Sequence, residues 1–335
     1  MNDNRFQRKI KIALVAVLVI ALCFGAIFYL QYKAALKNPK NNVTYQNSDE
    51  ELGINPEVSK QLKDYRCMAL YGIDDEGISG VMIVAAVNWD THQVKIFKVD
   101  SKTYMELSDS KKFVINGDER TKFACGYTYS RAGLVSSIKM LNRHLDLNIR
   151  EGIGMNLEAV KKIVDDLGGI EIAMSQSMCD SINSQFNHPG KIKVKNGKAK
   201  LNGQGVIEYL AAYSDSDTIS DADAMGVYSV FISMLSKAKE NDENNLLKIL
   251  NTAYRGCSTN MTVKDLAVFV KEIDTYEAKG TPSWPYKYKQ KTIGGQKVLV
   301  PNTLSSNVSK LHKEVFNQNN YKPTKTCERL STHNK

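Results

Sequence analysis

An uninterrupted apolar segment near the N-terminus constrains this chain most. Residues 12–30 read IALVAVLVIALCFGAIFYL and contain no charged side chain, and a helix needs about 20 apolar residues to cross a bilayer. Four basic residues and one acid precede the segment: Arg5, Arg8, Lys9 and Lys11, and Asp3. Because basic flanks stay in the cytoplasm, we predict a cytoplasmic tail over residues 1–11, a single transmembrane helix over 12–30 (Ile12 to Leu30) and an extracellular C-terminal domain.

A cleaved signal peptide is the alternative for the same segment. Its apolar region is about 7–15 residues long and ends at a small-x-small site, whereas the run here is longer and is followed by Gln31, Tyr32 and Lys33. An uncleaved anchor therefore fits the sequence better. Residues 31–63 are polar and rich in Asn and Lys, which is typical of an extracellular stalk, with at most a short helix near its end.

The composition of the remainder requires a globular body. The chain has 335 residues, of which 42% are hydrophobic and only 7 are Pro, so it is not disordered throughout. The net charge is +9, and the N-terminal tail contributes +3 of it (four basic residues against one acid), which leaves +6 for the rest. This excess suits anionic partners such as phosphates and lipid headgroups. It does not single out nucleic acid, and we predict no nucleic-acid partner.

The cysteines and histidines do not indicate a zinc site. Of the 6 Cys, Cys23 lies in the apolar segment, and the other five cannot all pair within one chain. No Cys-x-x-Cys motif occurs and the 5 His show no ligand spacing, so no structural metal site is predicted, and we expect buried thiols with at most one disulfide.

Hydrophobic periodicity predicts alternating strands and helices after residue 63. The predicted strands are 67–71, 81–87, 94–99, 170–174 and 298–300; the predicted helices are 134–145, 157–167, 202–213 and 308–316, with three more between 225 and 273. The apolar run VMIVAAV indicates a strand covered on both faces, and Asn156 and Gly168 suit the two ends of the second helix. This order predicts an α/β sandwich over residues 64–318, followed by a polar tail over 319–335.

Three common catalytic motifs are missing from the sequence. It contains no phosphate-binding Gly-x-x-x-x-Gly-Lys-Ser/Thr loop, no His-Glu-x-x-His and no Gly-x-Ser-x-Gly, which argues against the corresponding enzyme classes. The Ser-x-x-Lys spacing of penicillin-binding enzymes occurs at residues 108–111 and 136–139, but the companion Lys-Thr-Gly is absent, because residues 279–281 read Lys-Gly-Thr. That chemistry is therefore not predicted either.

Five segments carry a more informative pattern. They are 70–107, 121–133 (TKFACGYTYSRAG), 160–174 (VKKIVDDLGGIEIAM), 197–210 (GKAKLNGQGVIEYL) and 298–316 (VLVPNTLSSNVSKLHKEVF). In this order, behind one anchor, they resemble the LytR-CpsA-Psr family of membrane-anchored cell-envelope proteins over residues 64–318. The resemblance implies an αβα sandwich with a mixed central β-sheet. It also implies transfer of a glycopolymer from polyprenyl pyrophosphate to peptidoglycan, with Mg²⁺ and several arginines around the pyrophosphate.

The chain departs from this family where the family carries its chemistry. The family's Ser-Asp-Thr is Ser79-Gly80-Val81 here, so the metal carboxylate is missing. The family's Pro-Arg-Asp-Thr is replaced by DSKT at 100–103, so that Ser101 stands for the arginine and Lys102 for the acid. Two further arginine segments are also replaced, at Ala211, Tyr213, Ala224 and Val227. The resemblance therefore predicts no catalytic residue and no metal ligand in this chain, and Mg²⁺ is expected only if the chain is active.

A few residues remain candidates for binding a phosphate or a lipid headgroup. They are Ser101, Lys102, Lys122, Tyr127 and Tyr209. Each has a simpler interpretation, since a lysine is often a solvated surface residue and a tyrosine is often part of the core or of a groove wall, as also holds for Tyr129. The acids Asp74, Asp75 and Glu76 follow the first predicted strand, where a solvated loop is the simpler interpretation.

The sequence therefore favours a catalytically degenerate member of this family. Such a protein would keep the scaffold for a polyprenyl phosphate or a wall polymer but lack the transfer chemistry. Two alternatives stay open: an active phosphotransferase with relocated charges, and a structural or partner-binding ectodomain without lipid. An apolar groove in the domain would favour lipid binding over the last alternative.

Overall fold

The computed structural model describes residues 46–73, 76–88, 90–107, 113–115, 118–186, 192–213, 229–230, 233–234, 237, 240, 257–261 and 277–332. Within them the strands are β1 (Tyr65–Ile73), β2 (Ser79–Asn88), β3 (Gln93–Val99), β4 (Tyr104–Glu106), β5 (Phe113–Ile115), β6 (Asp118–Arg120), β7 (Lys122–Ala124), β8 (Ile149–Asn156), β9 (Ile170–Ala173), β10 (Val194–Lys195), β11 (Lys198–Leu201), β12 (Cys257–Thr259), β13 (Glu277–Gly280), β14 (Tyr288–Ile293) and β15 (Gln296–Pro301). The α-helices in the same ranges are α1 (Pro56–Gln61), α2 (Thr128–Leu145), α3 (Leu157–Asp166), α4 (Gln176–Phe186), α5 (Gly203–Tyr213), α6 (Leu304–Phe316) and α7 (Lys325–Thr332), and a 3₁₀ turn, Cys125–Tyr127, leads into α2.

A mixed sheet of six strands lies at the centre, in the order β12-β8-β1-β2-β3-β13. β1 runs antiparallel to β2 and parallel to β8. β3 runs antiparallel to β2 and parallel to β13. The mixed α/β fold with a central mixed sheet, which the resemblance implies, is therefore confirmed.

The predicted strands and helices of the body are present where the structure describes them. Every residue of β1 is buried except its two half-buried end residues, because both faces of the sheet are covered. The buried side chains of such a strand must be apolar or paired. The caps predicted for the helix after residue 156 are also confirmed. The Asn156 side chain accepts a hydrogen bond from the Ala159 amide at 2.9 Å, and Gly168 adopts the left-handed conformation after the last turn, with φ 76°.

The long helix α2 covers one face of the sheet and forms the main core with β1. Ile138 and Leu141 of the helix are fully buried in one cluster with Ala69 of the strand. β8 carries glycine at Gly152, where an added Cβ would lie only 2.8 Å from the Ile138 side chain. The close approach of helix and strand therefore depends on glycine at this position.

Both ends of the described chain pack onto the body more closely than the sequence predicts. The sequence analysis assigns residues 31–63 to a stalk, but Leu52, Val58 and Leu62 are buried in the main core. It assigns 319–335 to a polar tail, but α7 forms there, and its Cys327 and Leu330 are buried in the same core. A few apolar side chains at helical spacing are enough to dock a segment that is polar on average.

Several predictions fall on residues that the structure does not describe. No helix among the described residues is long and apolar enough to span a bilayer, and the predicted anchor at 12–30 lies outside them. The helices predicted between 225 and 273 lie largely outside as well, as do Asp74 and Asp75. All five cysteines after the apolar segment are described, and none of them is in a disulfide.

Candidate functional site

Four strand ends of the central sheet meet at one edge. Ile73, the last residue of β1, pairs with Ser79 at the start of β2 and with Asn156 at the end of β8. The end of β3 leads into the turn at residues 100–103, and α2 begins nearby after the 3₁₀ turn. Two of the segments that the sequence analysis expects to differ from the family, 79–81 and 100–103, therefore lie at the same edge.

Ser79, Ser101 and Gly126 converge at this edge. The Gly126 amide donates a hydrogen bond to the Ser101 carbonyl at 2.9 Å. A Cβ on Gly126 would lie 2.5 Å from the Ser79 carbonyl oxygen and 3.0 Å from the Ser101 Cβ, which leaves no room for any other residue. We call these three residues the edge cluster. Its side chains are small and uncharged, and its polar groups are two hydroxyls and backbone atoms.

The Asp100 carboxylate is engaged within its own turn. Its Oδ1 accepts a hydrogen bond from the Lys102 amide at 2.9 Å, and its backbone carbonyl accepts one from the Thr103 hydroxyl at 2.7 Å. The Lys102 carbonyl accepts a hydrogen bond from the Leu299 amide of β15 at 2.9 Å, and the Lys102 side chain is exposed. The turn is therefore rigidly tied to its surroundings while its lysine projects into solvent.

Tyr127 and Arg131 bring an aromatic ring and a guanidinium to the start of α2. The Cζ of Arg131 lies 5.8 Å from the Tyr127 ring centroid, within the range of a cation–π contact. Its Nη1 donates to the Val114 carbonyl at 3.3 Å, while its Nε is buried and has no hydrogen-bond partner among the described residues. The sequence analysis missed Arg131; its place one helical turn after Tyr127 is the signal that identifies it.

Lys122 lies in a different environment from the edge cluster. It pairs with Glu106 across β4 and β7, and Arg329 of α7 approaches the same Glu106 at 3.5 Å. Partial burial lowers the pKa of Lys122, as does the charge of Arg329, while Glu106 raises it. The structure thus places Lys122 in a charged group with Glu106 and Arg329, and its predicted role at a phosphate stays a prediction.

The other candidate tyrosines differ in exposure. Tyr209 on α5 is buried, in a helix that packs against α3, which is the environment of a core residue. The Tyr129 hydroxyl forms a hydrogen bond with the Ser258 hydroxyl, and the Tyr129 ring lies 5.5 Å from the Tyr71 ring. Burial raises the pKa of Tyr129, partly offset by the Ser258 hydrogen bond. Tyr129 therefore joins α2 to the β12 side of the same edge.

A pocket near the start of β1 does not suit a prenyl chain. It has a volume of about 400 Å³ and is lined by residues that are mainly polar: Glu57, Gln61, Gln318, Asn320, Tyr321 and Lys322. A prenyl chain is a hydrocarbon, and its site is expected to be lined by apolar side chains. The apolar groove that would favour lipid binding stays a prediction.

Comparison with known proteins identifies the family. Residues 26–314 match the LytR_cpsA_psr family model. The chain belongs to the LytR_cpsA_psr family. It is 24% identical over 219 residues to the polyisoprenyl-teichoic acid–peptidoglycan teichoic acid transferase TagU of Bacillus subtilis, and the match covers 62% of this chain and 64% of TagU. The chain therefore spans just under two thirds of that relative.

Solved structures of similar proteins support the same fold. One is TagT bound to LIIa-WTA, with a TM-score of 0.53, 16% identity, and coverage of 77% of this chain and 91% of that one. Another is the protein gbs0355 from Streptococcus agalactiae, with a TM-score of 0.54, 19% identity, and coverage of 84% and 95%. At these identities the likeness establishes the fold of the LytR_cpsA_psr domain and leaves its chemistry to the residues.

The family's Mg²⁺ does not fit the donors that the described residues offer at the edge. Mg²⁺ requires hard oxygen ligands, usually including carboxylates. The segment 79–81 carries no carboxylate, and Asp100 already closes its own turn. No group of three or more His, Cys, Asp or Glu side chains suitable for a metal occurs in the described part of the chain. We derive no step through a metal ion at this edge.

Proposed function

We propose that this chain is a membrane-anchored, extracellular member of the LytR_cpsA_psr family that binds a polyprenyl phosphate or a wall glycopolymer without transferring it. The proposed layout is a cytoplasmic tail, one transmembrane helix over residues 12–30, and an extracellular αβα sandwich. The observation that supports the proposal is the edge cluster, in which Ser79, Ser101 and Gly126 lie together, in segments where the resemblance leads us to expect an acid and an arginine.

The physical argument concerns the charge that develops during transfer. A leaving pyrophosphate gains negative charge, and catalysis requires fixed positive groups or metal ions where that charge appears. The edge cluster presents hydroxyls and amides there, which bind an anion weakly compared with a bidentate arginine. Loss of one such donor lowers the rate by about 10²- to 10³-fold, so the loss of several should abolish useful transfer.

The relatives support the choice of ligand class. TagU is named a polyisoprenyl-teichoic acid–peptidoglycan teichoic acid transferase, and TagT has been solved bound to LIIa-WTA. A scaffold shared with these proteins, on a chain with a net charge of +9, suits the same class of anionic, lipid-linked polymer. We extend this ligand class, but not the transfer reaction, to the present chain.

A reconstituted transfer assay tests the proposal. The full chain is incubated with a polyprenyl-pyrophosphate-linked oligosaccharide, peptidoglycan and Mg²⁺, beside TagU as the active control. We expect no transfer above background, together with retained polyprenyl phosphate on native mass spectrometry. Transfer at a rate comparable to TagU contradicts the proposal. A chain that neither transfers nor binds the lipid favours the partner-binding alternative.

The proposed topology has its own test. Protease added to intact spheroplasts should digest the domain after Gln31 and leave an N-terminal tag protected. A protected domain, or a mature protein that begins after residue 31, contradicts the anchored topology.

Arg131 supports a second candidate function, an active transferase with relocated charge. Its guanidinium lies beside Tyr127 near the edge, and its buried Nε has no hydrogen-bond partner among the described residues. In this candidate function the side chains that cover the Nε move aside and a phosphate oxygen accepts its hydrogen bond. If the natural chain transfers, Arg131→Ala should abolish transfer and Lys102→Ala with Lys122→Ala should lower it. Arg131→Lys keeps the charge but not the bidentate geometry, and it should restore transfer only in part.

A further inference from the structure

The hairpin formed by β14 and β15 exposes a row of lysines. Its two strands are joined by Gly294 and Gly295, whose φ values of 58° and 76° suit a tight two-residue turn. β14 is exposed along its length except for its last, half-buried residue. Lysine occupies alternate positions here, at Lys287, Lys289 and Lys291. We call these three residues the lysine row. Alternate residues of a strand point to the same face, so Lys289 and Lys291 of β14 share one side of the hairpin, and Lys287 immediately precedes the strand.

The strand register shows which side that is. Lys291 lies opposite Val298, and Lys289 lies opposite Val300, and residues directly opposite in an antiparallel pair share a face. The two valines are buried in a small cluster against which Tyr127 packs. Lys289 and Lys291 therefore lie on the face of the hairpin that is turned toward Tyr127, and their side chains are exposed to solvent.

The hairpin is also attached to the turn that carries Ser101 and Lys102. Leu299 of β15 donates its amide hydrogen to the Lys102 carbonyl at 2.9 Å, and it forms a bridge with Thr103. Strand neighbours lie about 4.8 Å apart, so β14 lies about 10 Å from the backbone of this turn. Successive lysines of the row are about 6.7 Å apart, which gives the row a length of about 13 Å.

The charges of the row are not neutralised within the described protein. None of the described residues forms an ion pair with Lys287, Lys289 or Lys291. Lys102, in the turn that is hydrogen-bonded to β15, is also exposed, and Arg131 lies beside Tyr127. The surface from the edge cluster to β14 thus carries several positive charges and an aromatic ring.

We propose that the lysine row binds the phosphodiester backbone of a linear glycopolymer, with one end of that polymer at the edge cluster. This inference rests on the proposed function and names its ligand more closely. Two observations favour a polymer over a flat anionic membrane. Lys289 and Lys291 lie along one strand, and the hairpin that contains this strand lies beside the Ser101–Lys102 turn with both lysines on the face turned toward Tyr127.

Lysines on an exposed edge strand also have a purely protective role, because they prevent pairing with another strand. That role requires positive charge but no ligand. The two interpretations differ in what happens to anion binding when the charge is removed, and the experiment below separates them.

The test measures binding of poly(glycerol phosphate) to the full chain in neutral detergent micelles, with uncharged dextran as the negative control. We compare the double variant Lys289→Gln, Lys291→Gln with Lys195→Gln, Lys198→Gln. The second pair is a matched control, because these two lysines lie opposite each other on the exposed β10–β11 hairpin. Both variants remove the same charge from an exposed hairpin.

We expect the Lys289/Lys291 variant to bind about tenfold more weakly and the control variant to bind within about twofold of the natural chain, with affinity falling as salt rises. Equal weakening in both variants indicates a response to net charge and overturns the proposal. Unchanged binding in both also overturns it, and leaves the proposed function standing if the chain still binds polyprenyl phosphate. Binding of anionic phosphatidylglycerol nanodiscs that depends on Lys289 and Lys291, without binding of the polymer, overturns it in favour of a membrane contact.

Discussion

Arg66 and Glu151 form a bidentate ion pair inside the central sheet. The Arg66 Nε donates to Glu151 Oε2 at 2.5 Å and its Nη2 pairs with the other carboxylate oxygen. The side chains lie on the neighbouring parallel strands β1 and β8, and each is 2% exposed. Two full charges are therefore held in a nearly water-free layer, where each depends on the other.

Breaking this pair should destabilise the domain strongly. Glu151→Gln leaves the buried guanidinium without a counter-charge, and we expect the free energy of unfolding to fall by about 3–5 kcal/mol. Urea denaturation followed by tryptophan fluorescence measures it, because Trp284 is fully buried. The double variant Arg66→Met, Glu151→Leu should recover most of the loss. Glu158→Gln, which breaks an exposed pair with Lys161, should change stability by less than about 0.5 kcal/mol. A loss for Glu151→Gln that is no larger than the loss for Glu158→Gln would contradict the structure.

The C-terminal helix depends on Asp146 for its docking. The Asp146 carboxylate accepts hydrogen bonds from the Thr324 amide at 2.8 Å, the Thr324 hydroxyl at 2.7 Å and the Tyr321 hydroxyl at 3.0 Å. Thr324→Val removes one of these donors from a buried carboxylate and should cost about 1–3 kcal/mol. It should also speed trypsin cleavage after Lys325 and Arg329 of the undocked helix, measured by intact mass. Thr324→Ser keeps the hydroxyl and should resemble the natural chain; equal cleavage of both variants would show that the hydroxyl does not hold the helix.

Stability should fall in mild acid because of His144. Its Nε2 accepts a hydrogen bond from the Glu106 amide at 3.1 Å, so the ring is neutral with its proton on Nδ1, facing the Met140 carbonyl. Burial lowers the pKa of His144 from 6.5 to about 4. Above pH 6.5 both the folded and the unfolded imidazole are neutral. Below pH 6.5 the unfolded chain binds a proton that the folded chain does not, so stability is lost between pH 6.5 and pH 4.

The expected loss from His144 is about 2 kcal/mol between pH 7 and pH 5. His144→Gln cannot titrate, so its free energy of unfolding should change less over this interval than that of the natural chain. Each protein is compared with itself at the two pH values, which removes the effect of the substitution on baseline stability. Burial also lowers the pKa of His312, so part of the acid sensitivity should remain. An identical pH dependence in both proteins would refute the role of His144.

The edge cluster should not tolerate a side chain on Gly126. Gly126→Ala places a methyl group 2.5 Å from the Ser79 carbonyl oxygen, so the backbone of β2 or of the Ser101 turn must move. We expect a loss of about 1–3 kcal/mol in stability from overpacking, and weaker binding of polyprenyl phosphate on native mass spectrometry. Gly205→Ala is the control. Its nearest contact is the end of the Asn202 side chain, 3.2 Å away, and alanine is favoured over glycine within a helix. Unchanged lipid binding in Gly126→Ala would place the ligand elsewhere.

The part of the fold that follows from local pattern was predictable from the sequence. The run VMIVAAV predicts a strand buried on both faces, and β2 spans it as Ser79–Asn88. Asn156 and Gly168 predict the two ends of one helix, and both adopt the expected conformations. These elements can be predicted from the sequence because apolar periodicity and helix capping involve residues only a few positions apart. The ordered motifs also indicated the family, which the family model over residues 26–314 confirms.

The elements that the sequence analysis missed depend on contacts between distant residues. β8 reads IREGIGMN, and its two glycines and two charged residues do not match the apolar pattern expected of a strand in the central sheet. Glu151 is acceptable there only because Arg66, 85 positions earlier, lies on the adjacent strand. In the same way, α7 is a docked helix because Asp146 and the core receive it.

For the candidate site, the sequence by itself determined which charged residues each segment contains: none at 79–81, and Asp100 and Lys102 but no arginine at 100–103. Only the tertiary structure decided which charges are near. It places the Arg131 guanidinium near the Tyr127 ring. It places Lys122 elsewhere, in a charged group with Glu106 and Arg329. It also attaches the hairpin that carries the lysine row to the Lys102 turn. The physical reason is that strand register and helix docking bring together residues far apart in the chain, and no local period encodes that proximity.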